Sequence, residues 1–161
     1  MVAEILTSNT SVTEVFLSGN EKIGDEGAKA LAEALKVNAT VKLLNLSDCG
    51  IGDDGAAALA EALRSNTSLT KLGLWVNEDI GDEGAKALAG ALKVNTTVEE
   101  LILDACGIGD DGAAAFAEAL RSNTSLTKLW LDRNDGIGEQ GKQLLRDAVA
   151  SRQGFELVFE R

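Results

Sequence analysis

The sequence predicts an α/β solenoid: a right-handed arc of strand–helix repeats, with about six parallel strands on the concave side and helices on the convex side. Three observations predict it. An isoleucine-glycine pair recurs at Ile23-Gly24, Ile51-Gly52, Ile80-Gly81, Ile108-Gly109 and Ile137-Gly138, in steps of 28, 29, 28 and 29 residues. Two adjacent repeats form a larger unit, and residues 8–64 lie over residues 65–121 without a gap, with 15 differences in 57 positions. Within each repeat the apolar spacing changes from the two-residue period of a strand to the 3.6-residue period of a helix.

In the strand half, branched apolar residues hold fixed places with polar ones between them, as at Leu69, Leu72 and Leu74 or at Val98, Leu101 and Leu103. In the helical half, Ala28, Leu31, Ala32 and Leu35 form one apolar stripe. Asp25 and Glu26 suit the positive start of that helix, and Lys36 suits its negative end. Asn38 follows as a residue tolerant of left-handed geometry. The glycines at 27, 55, 84, 112 and 141 are expected to let the backbone approach the neighbouring repeat. One such unit cannot bury its own apolar face, so stacking must do it. Residues 1–7 align with the tail of a repeat helix and are expected to be a partial repeat or cap. Residues 8–64 and 65–121 are the duplicated units, and 122–161 hold the last repeat and a C-terminal cap whose closing strand runs through Phe155, Leu157 and Phe159.

The pattern L-x-x-L-x-L-x-x-N/C, followed by a full helix and an alternating 28/29 period, resembles the ribonuclease-inhibitor-like class of leucine-rich repeats. That class includes ribonuclease inhibitor, the activating protein of the Ran GTPase, the tropomodulin repeat domain and the sensor ends of NOD-like receptors. The resemblance covers nearly the whole chain. It implies a binding surface on the concave sheet but not which partner, because the class serves many unrelated ones.

Composition narrows the function. The net charge of −11, from 26 acidic and 15 basic residues, opposes nucleic acid and anionic membranes as partners. No apolar run reaches the roughly 18 residues of a membrane span, and no basic-then-apolar start marks a signal peptide. A cytoplasmic monomer is the expectation. The chain has no histidine and no tyrosine, so the commonest general base is missing; neither an enzyme nor a cofactor or metal site is expected.

The two units show where function would lie. The strand motif leaves Thr13, Glu14, Phe16, Ser18 and Gly19, then Lys42, Leu43, Asn45, Ser47 and Asp48, on the concave face of the first unit. Their counterparts in the second are Thr70, Lys71, Gly73, Trp75 and Val76, then Glu99, Glu100, Ile102, Asp104 and Ala105. Nine of these ten pairs differ, against six differences elsewhere. Exposure alone does not account for it, because the outer helix positions match: Glu26 with Glu83, Lys29 with Lys86, Arg64 with Arg121. Both tryptophans, Trp75 and Trp130, fall on this face, among apolar anchors and charges of both signs. That is the composition of a protein interface. The expected binding residues are Phe16, Leu43, Lys71, Trp75, Val76, Glu100, Ile102, Asp104, Lys128, Trp130, Asp132 and Arg133, with Phe16, Trp75, Ile102 and Trp130 projecting into solvent. The alternative for the tryptophans is that they merely cover the sheet or each other. A six-strand face on the order of 25 Å wide suits a protein or peptide partner.

Other motifs read as structural. Cys49 and Cys106 stand two repeats apart, about 10 Å by strand spacing and beyond disulfide reach. They are expected to be buried thiols that donate to a loop backbone. The sequons at Asn9, Asn38, Asn66, Asn95 and Asn123 fall at one recurring turn. The remaining function classes are a designed or consensus-derived scaffold with no natural partner and, by family resemblance, a regulator of a small GTPase or of actin ends.

Overall fold

The computed structural model describes residues 2–159. Helix α1 spans Val2–Ser8; five strand–helix pairs follow: β1 Glu14–Phe16 with α2 Gly24–Val37, β2 Leu43–Asn45 with α3 Asp53–Leu63, β3 Lys71–Gly73 with α4 Gly81–Leu92, β4 Glu100–Ile102 with α5 Asp110–Leu120, and β5 Lys128–Trp130 with α6 Glu139–Val149. Strand β6, Glu156–Val158, closes the sheet. The six strands are parallel, in chain order and in register, so Leu44, Leu72, Leu101 and Leu129 form one buried row. Each helix packs on the next. Strands repeat about every 4.8 Å and packed helices every 8–10 Å, which bends the stack into an arc with the sheet inside.

The strands are only three residues long, shorter than their apolar pattern suggests. The apolar residues after them, such as Leu46, Leu74, Leu103 and Leu131, are buried as the chain turns under the sheet toward the helix. Backbone pairing nonetheless continues past the strands: Asp48 N–H donates to the Trp75 carbonyl at 3.0 Å and Val76 N–H to the Asp104 carbonyl at 2.9 Å.

Two polar ladders stitch the repeats, in opposite directions. Asn66 reaches back: its amide donates to the Leu35 and Asn38 carbonyls at 2.8 and 3.1 Å, and its oxygen accepts from Ser68 and Leu69 N–H at 3.0 and 2.8 Å. Asn38, Asn95 and Asn123 repeat the arrangement one step along the stack. Asn38 is therefore there for its side chain. Its backbone is extended, with φ −76° and ψ 128°, not left-handed as its position after a helix suggests. These four asparagines are buried, which makes their sequons structural; Asn9 is only partly buried.

The second ladder reaches forward. Asp25 Oδ1 accepts from the N–H groups of Gly52 and Gly55 in the following repeat, at 2.7 and 2.9 Å, and Asp82 does the same for Gly109 and Gly112. Each first-turn aspartate thus caps the next helix as well as suiting the start of its own. The glycines follow from this closeness. A methyl at Gly112 would stand 2.8 Å from Asp82 Oδ1 and 2.9 Å from Ala85 Cβ. Gly27 differs, because a methyl there would meet only Ile23.

At the loops entering the helices, Asn20, Cys49, Asn77, Cys106 and Asn134 hold equivalent places. Cys49 Sγ donates to the Leu17 carbonyl and Cys106 Sγ to the Leu74 carbonyl, both at 3.2 Å. Both thiols are free and buried, and burial pushes that of Cys106 up to about 12.

Candidate functional site

The in-register sheet turns the concave side chains into rows that cross the strands. The first row reads Glu14, Leu43, Lys71, Glu100, Lys128, Glu156, and the second Phe16, Asn45, Gly73, Ile102, Trp130, Val158. The first row is an ion-pair chain: Lys71 Nζ lies 2.8 Å from Glu100, and Lys128 Nζ lies 3.6 Å from Glu100 and 3.5 Å from Glu156. The Lys71 hydrogen bond, with the charge of Lys128 beyond it, holds the Glu100 carboxyl below the usual carboxylate range against the opposing effect of burial.

The second row and the residues just past the strands enclose a hollow of about 380 Å³ at the centre of the face. Phe16, Leu43, Lys71, Trp75, Ile102, Asp104, Trp130 and Arg133 line it, together with Leu44, Asn45 and Gly73. Eight of the twelve residues expected from the sequence meet there. Glu100 and Lys128 stand alongside in the ion-pair row. Val76 and Asp132 stay outside the lining. Asp132 Oδ1 instead accepts from the Arg133 backbone N–H at 2.9 Å.

The expectation that four large apolar residues project freely is corrected. Phe16 does, at 60% exposure, but Ile102 is only 6% exposed, and both tryptophans are half-buried. Ile102 sits in the same row between Trp130 and Gly73, and the space over Gly73 is taken by the Trp75 ring, so an indole stands on either side of it. Trp75 folds back over the sheet: its six-membered ring occupies the space above Gly73, where a methyl would stand 2.9 Å from Cζ3. Asp104 is buried too, its Oδ1 accepting from Asp132 N–H at 3.0 Å. Ser47, another expected surface position, is buried, its hydroxyl 2.7 Å from Asn45 Oδ1.

Sequence reasoning missed Gly73 and Asn45 as site residues. An isolated glycine inside a strand pattern marks a close approach by something else, and here that is Trp75. Val76 has a second, backbone role. Asp48, Val76, Ala105 and Arg133 all adopt φ between 51° and 59°, and in the first repeat Gly19 holds the same place at 76°. Val76 is the β-branched member of that set, in a conformation costing roughly 1–2 kcal/mol for a residue with a Cβ. Strain of this kind is tolerated where the surroundings impose it.

Chemically the site offers apolar and aromatic walls with a few charges at the rim. Among the described residues no cluster of three metal-ligating side chains occurs, and no helix is long and apolar enough to cross a membrane. The architecture and the hollowed sheet define a repeat solenoid with a concave parallel sheet. A family profile described as Leucine Rich repeat matches residues 8–32, 37–60, 65–89 and 94–117, and the chain belongs to that family. Its full helices and 28/29 alternation are those of the ribonuclease-inhibitor-like class. Among curated proteins none matches. Solved structures similar to it include those of two domains. Leiomodin-1 actin-binding site 2 superposes with a TM-score of 0.74 at 28% identity, covering 94% of this chain and 89% of that one. The tropomodulin C-terminal domain from Caenorhabditis elegans superposes with a TM-score of 0.75 at 20% identity, covering 92% and 89%.

Proposed function

We propose that the chain is a protein-binding module that receives a protein or peptide on its concave face, with Trp75 and Trp130 as anchors. The observation that carries the reading is the coincidence of two patterns. The positions that differ between the two internal copies supply Phe16, Leu43, Lys71, Gly73, Trp75, Ile102 and Asp104, which line the central hollow. Half-buried tryptophans beside an open hollow add apolar contact at little entropic cost, as interface hot spots do. The ion-pair row beside them is pre-organised and sets the register of an incoming chain more than its affinity.

The test is affinity capture with the intact chain against a Trp75→Ala/Trp130→Ala variant. The variant is expected to lose the captured protein while its urea midpoint falls by less than that of a seam variant such as Asn66→Ala. Capture that survives the double substitution ends the reading; so does a variant that no longer folds, because the tryptophans would then be core.

A second reading is actin binding, supported by the likeness to leiomodin-1 actin-binding site 2 over 94% of the chain. Cosedimentation with actin filaments and a pyrene-actin assembly assay distinguish it. No shift in either, at concentrations up to tens of micromolar, removes actin from consideration.

A further inference from the structure

The charges around the central hollow are not balanced, and the excess runs against the rest of the chain. The lining carries two cations, Lys71 and Arg133, and one anion, Asp104. Lys71 is neutralised by Glu100 at 2.8 Å. Asp104 is 6% exposed and its Oδ1 is engaged by the Asp132 N–H. Arg133 is exposed, and among the described residues its guanidinium makes no ion pair or hydrogen bond. Gly19, Asp48, Val76 and Ala105 hold the equivalent left-handed place in the other repeats, and none of them is cationic. A chain of net charge −11 thus keeps an uncompensated cation at the mouth of its apolar hollow.

The floor adds a second donor. Asn45 is half-buried, and its Oδ1 accepts from the N–H and the hydroxyl of Ser47 at 3.0 and 2.7 Å. Its amide nitrogen donates to no group among the described residues. Apolar walls with a spare amide and a spare guanidinium suit an apolar group that brings acceptors with it, a carboxylate above all.

The register of the sheet sets the spacing. In the second row Phe16 stands on β1 and the Trp75 ring lies over Gly73 on β3, so the low point is over Asn45 on β2. Arg133 follows β5, three strands away or about 14 Å by strand spacing. Less the length of the arginine side chain, that leaves the reach of two residues of extended chain, about 7 Å, and side chains two apart point to the same side.

We propose that the hollow takes an extended segment of a partner protein, lying across the strands, that sets a bulky aliphatic side chain over Asn45 between Phe16 and Trp75 and, two residues along, an aspartate or glutamate on Arg133. The assignment rests on the concave-face reading above and names the chemistry of what that face receives. A cationic side chain held by the indoles is the poorer occupant, because Arg133 repels it and the lining carboxylate is already engaged.

The probe is the acetylated and amidated peptide Gly-Glu-Ser-Leu-Ser-Glu-Gly, whose two carboxylates allow either chain direction. It lacks tryptophan, so the emission of the full chain reports on Trp75 and Trp130 alone. Titrated to millimolar concentration, it is expected to change that emission saturably. The version with glutamine for glutamate is expected to bind about 5-fold more weakly, the size of an exposed charge pair. The version with lysine is expected to bind more weakly still, and serine in place of leucine to abolish the change. Arg133→Gln should erase the preference for glutamate over glutamine at an unchanged melting temperature, Arg133→Lys should restore it, and Arg133→Glu should turn it toward lysine. Equal binding of the glutamate and glutamine peptides, a preference that survives Arg133→Gln, or no saturable change at all overturns the proposal. A preference of the intact chain for lysine overturns it in favour of a cation. Affinity capture that is lost in Trp75→Ala/Trp130→Ala yet unchanged in Arg133→Gln overturns the carboxylate assignment while the concave-face reading stands.

Discussion

The seams between repeats and the concave face are built from the same 57-residue unit, yet they follow opposite rules. At the seams Asn38 and Asn95, Asp25 and Asp82, and Gly55 and Gly112 are the same residue in both copies and make the same bonds. On the face, Phe16 stands opposite Gly73, and Ser18 opposite Trp75. The reason is how many neighbours each side chain must satisfy. Asn66 bonds four backbone groups at once, which favours asparagine at each inner seam, whereas a concave side chain meets mainly its row neighbours and solvent and can be exchanged. Fixed seam and variable face are thereby separated within one repeat.

Three substitutions break or sharpen that contrast. The largest effect is expected at the seam. Asn66→Ala strands two carbonyls and two N–H groups in a buried site and should cost about 3 kcal/mol by urea unfolding. A loss under about 1 kcal/mol would mean that the ladder is decoration. Val76→Gly probes a face position where backbone and side chain compete. Relief of the left-handed strain should raise stability by about 1 kcal/mol, and a fall instead would show that packing by the valine outweighs its backbone. The smallest effect belongs to the ion-pair row. Glu100 titrates below its unfolded value, so its contribution is present above the ordinary carboxylate range and is lost as pH falls through the lowered folded value. Glu100→Gln should remove that part of the acid sensitivity, worth under about 1 kcal/mol for partly exposed pairs, and leave the stability at pH 9 only slightly reduced.

The repeat length, the strand–helix order and the buried thiols were all legible, because each depends on a period or on one residue recurring in one place. The purpose of the punctuation residues was less legible. Asp25 reads as a complement to its own helix, yet it also caps the next one. Asn38 reads as a turn residue, yet it is a bridge. Spacing within one repeat cannot reveal a bond made 27 to 32 residues away. Which positions share the sheet face was legible, but not the relief of that face. Alternation places Ile102 and Asp104 on the open side, and only the neighbouring side chains decide that both are buried. Gly73, a missing side chain, became visible as part of the site once the Trp75 ring was seen above it.

Because aspartate stitches forward and asparagine stitches backward, every inner joint presents the same two half-fasteners. Excising or inserting a whole 57-residue block at equivalent points would regenerate a matching joint, with the asparagine and cysteine loops still in alternation. The number of strands, and with it the reach of the arc, can then change by unequal recombination without any compensating substitution, while the chemistry of each row is edited separately.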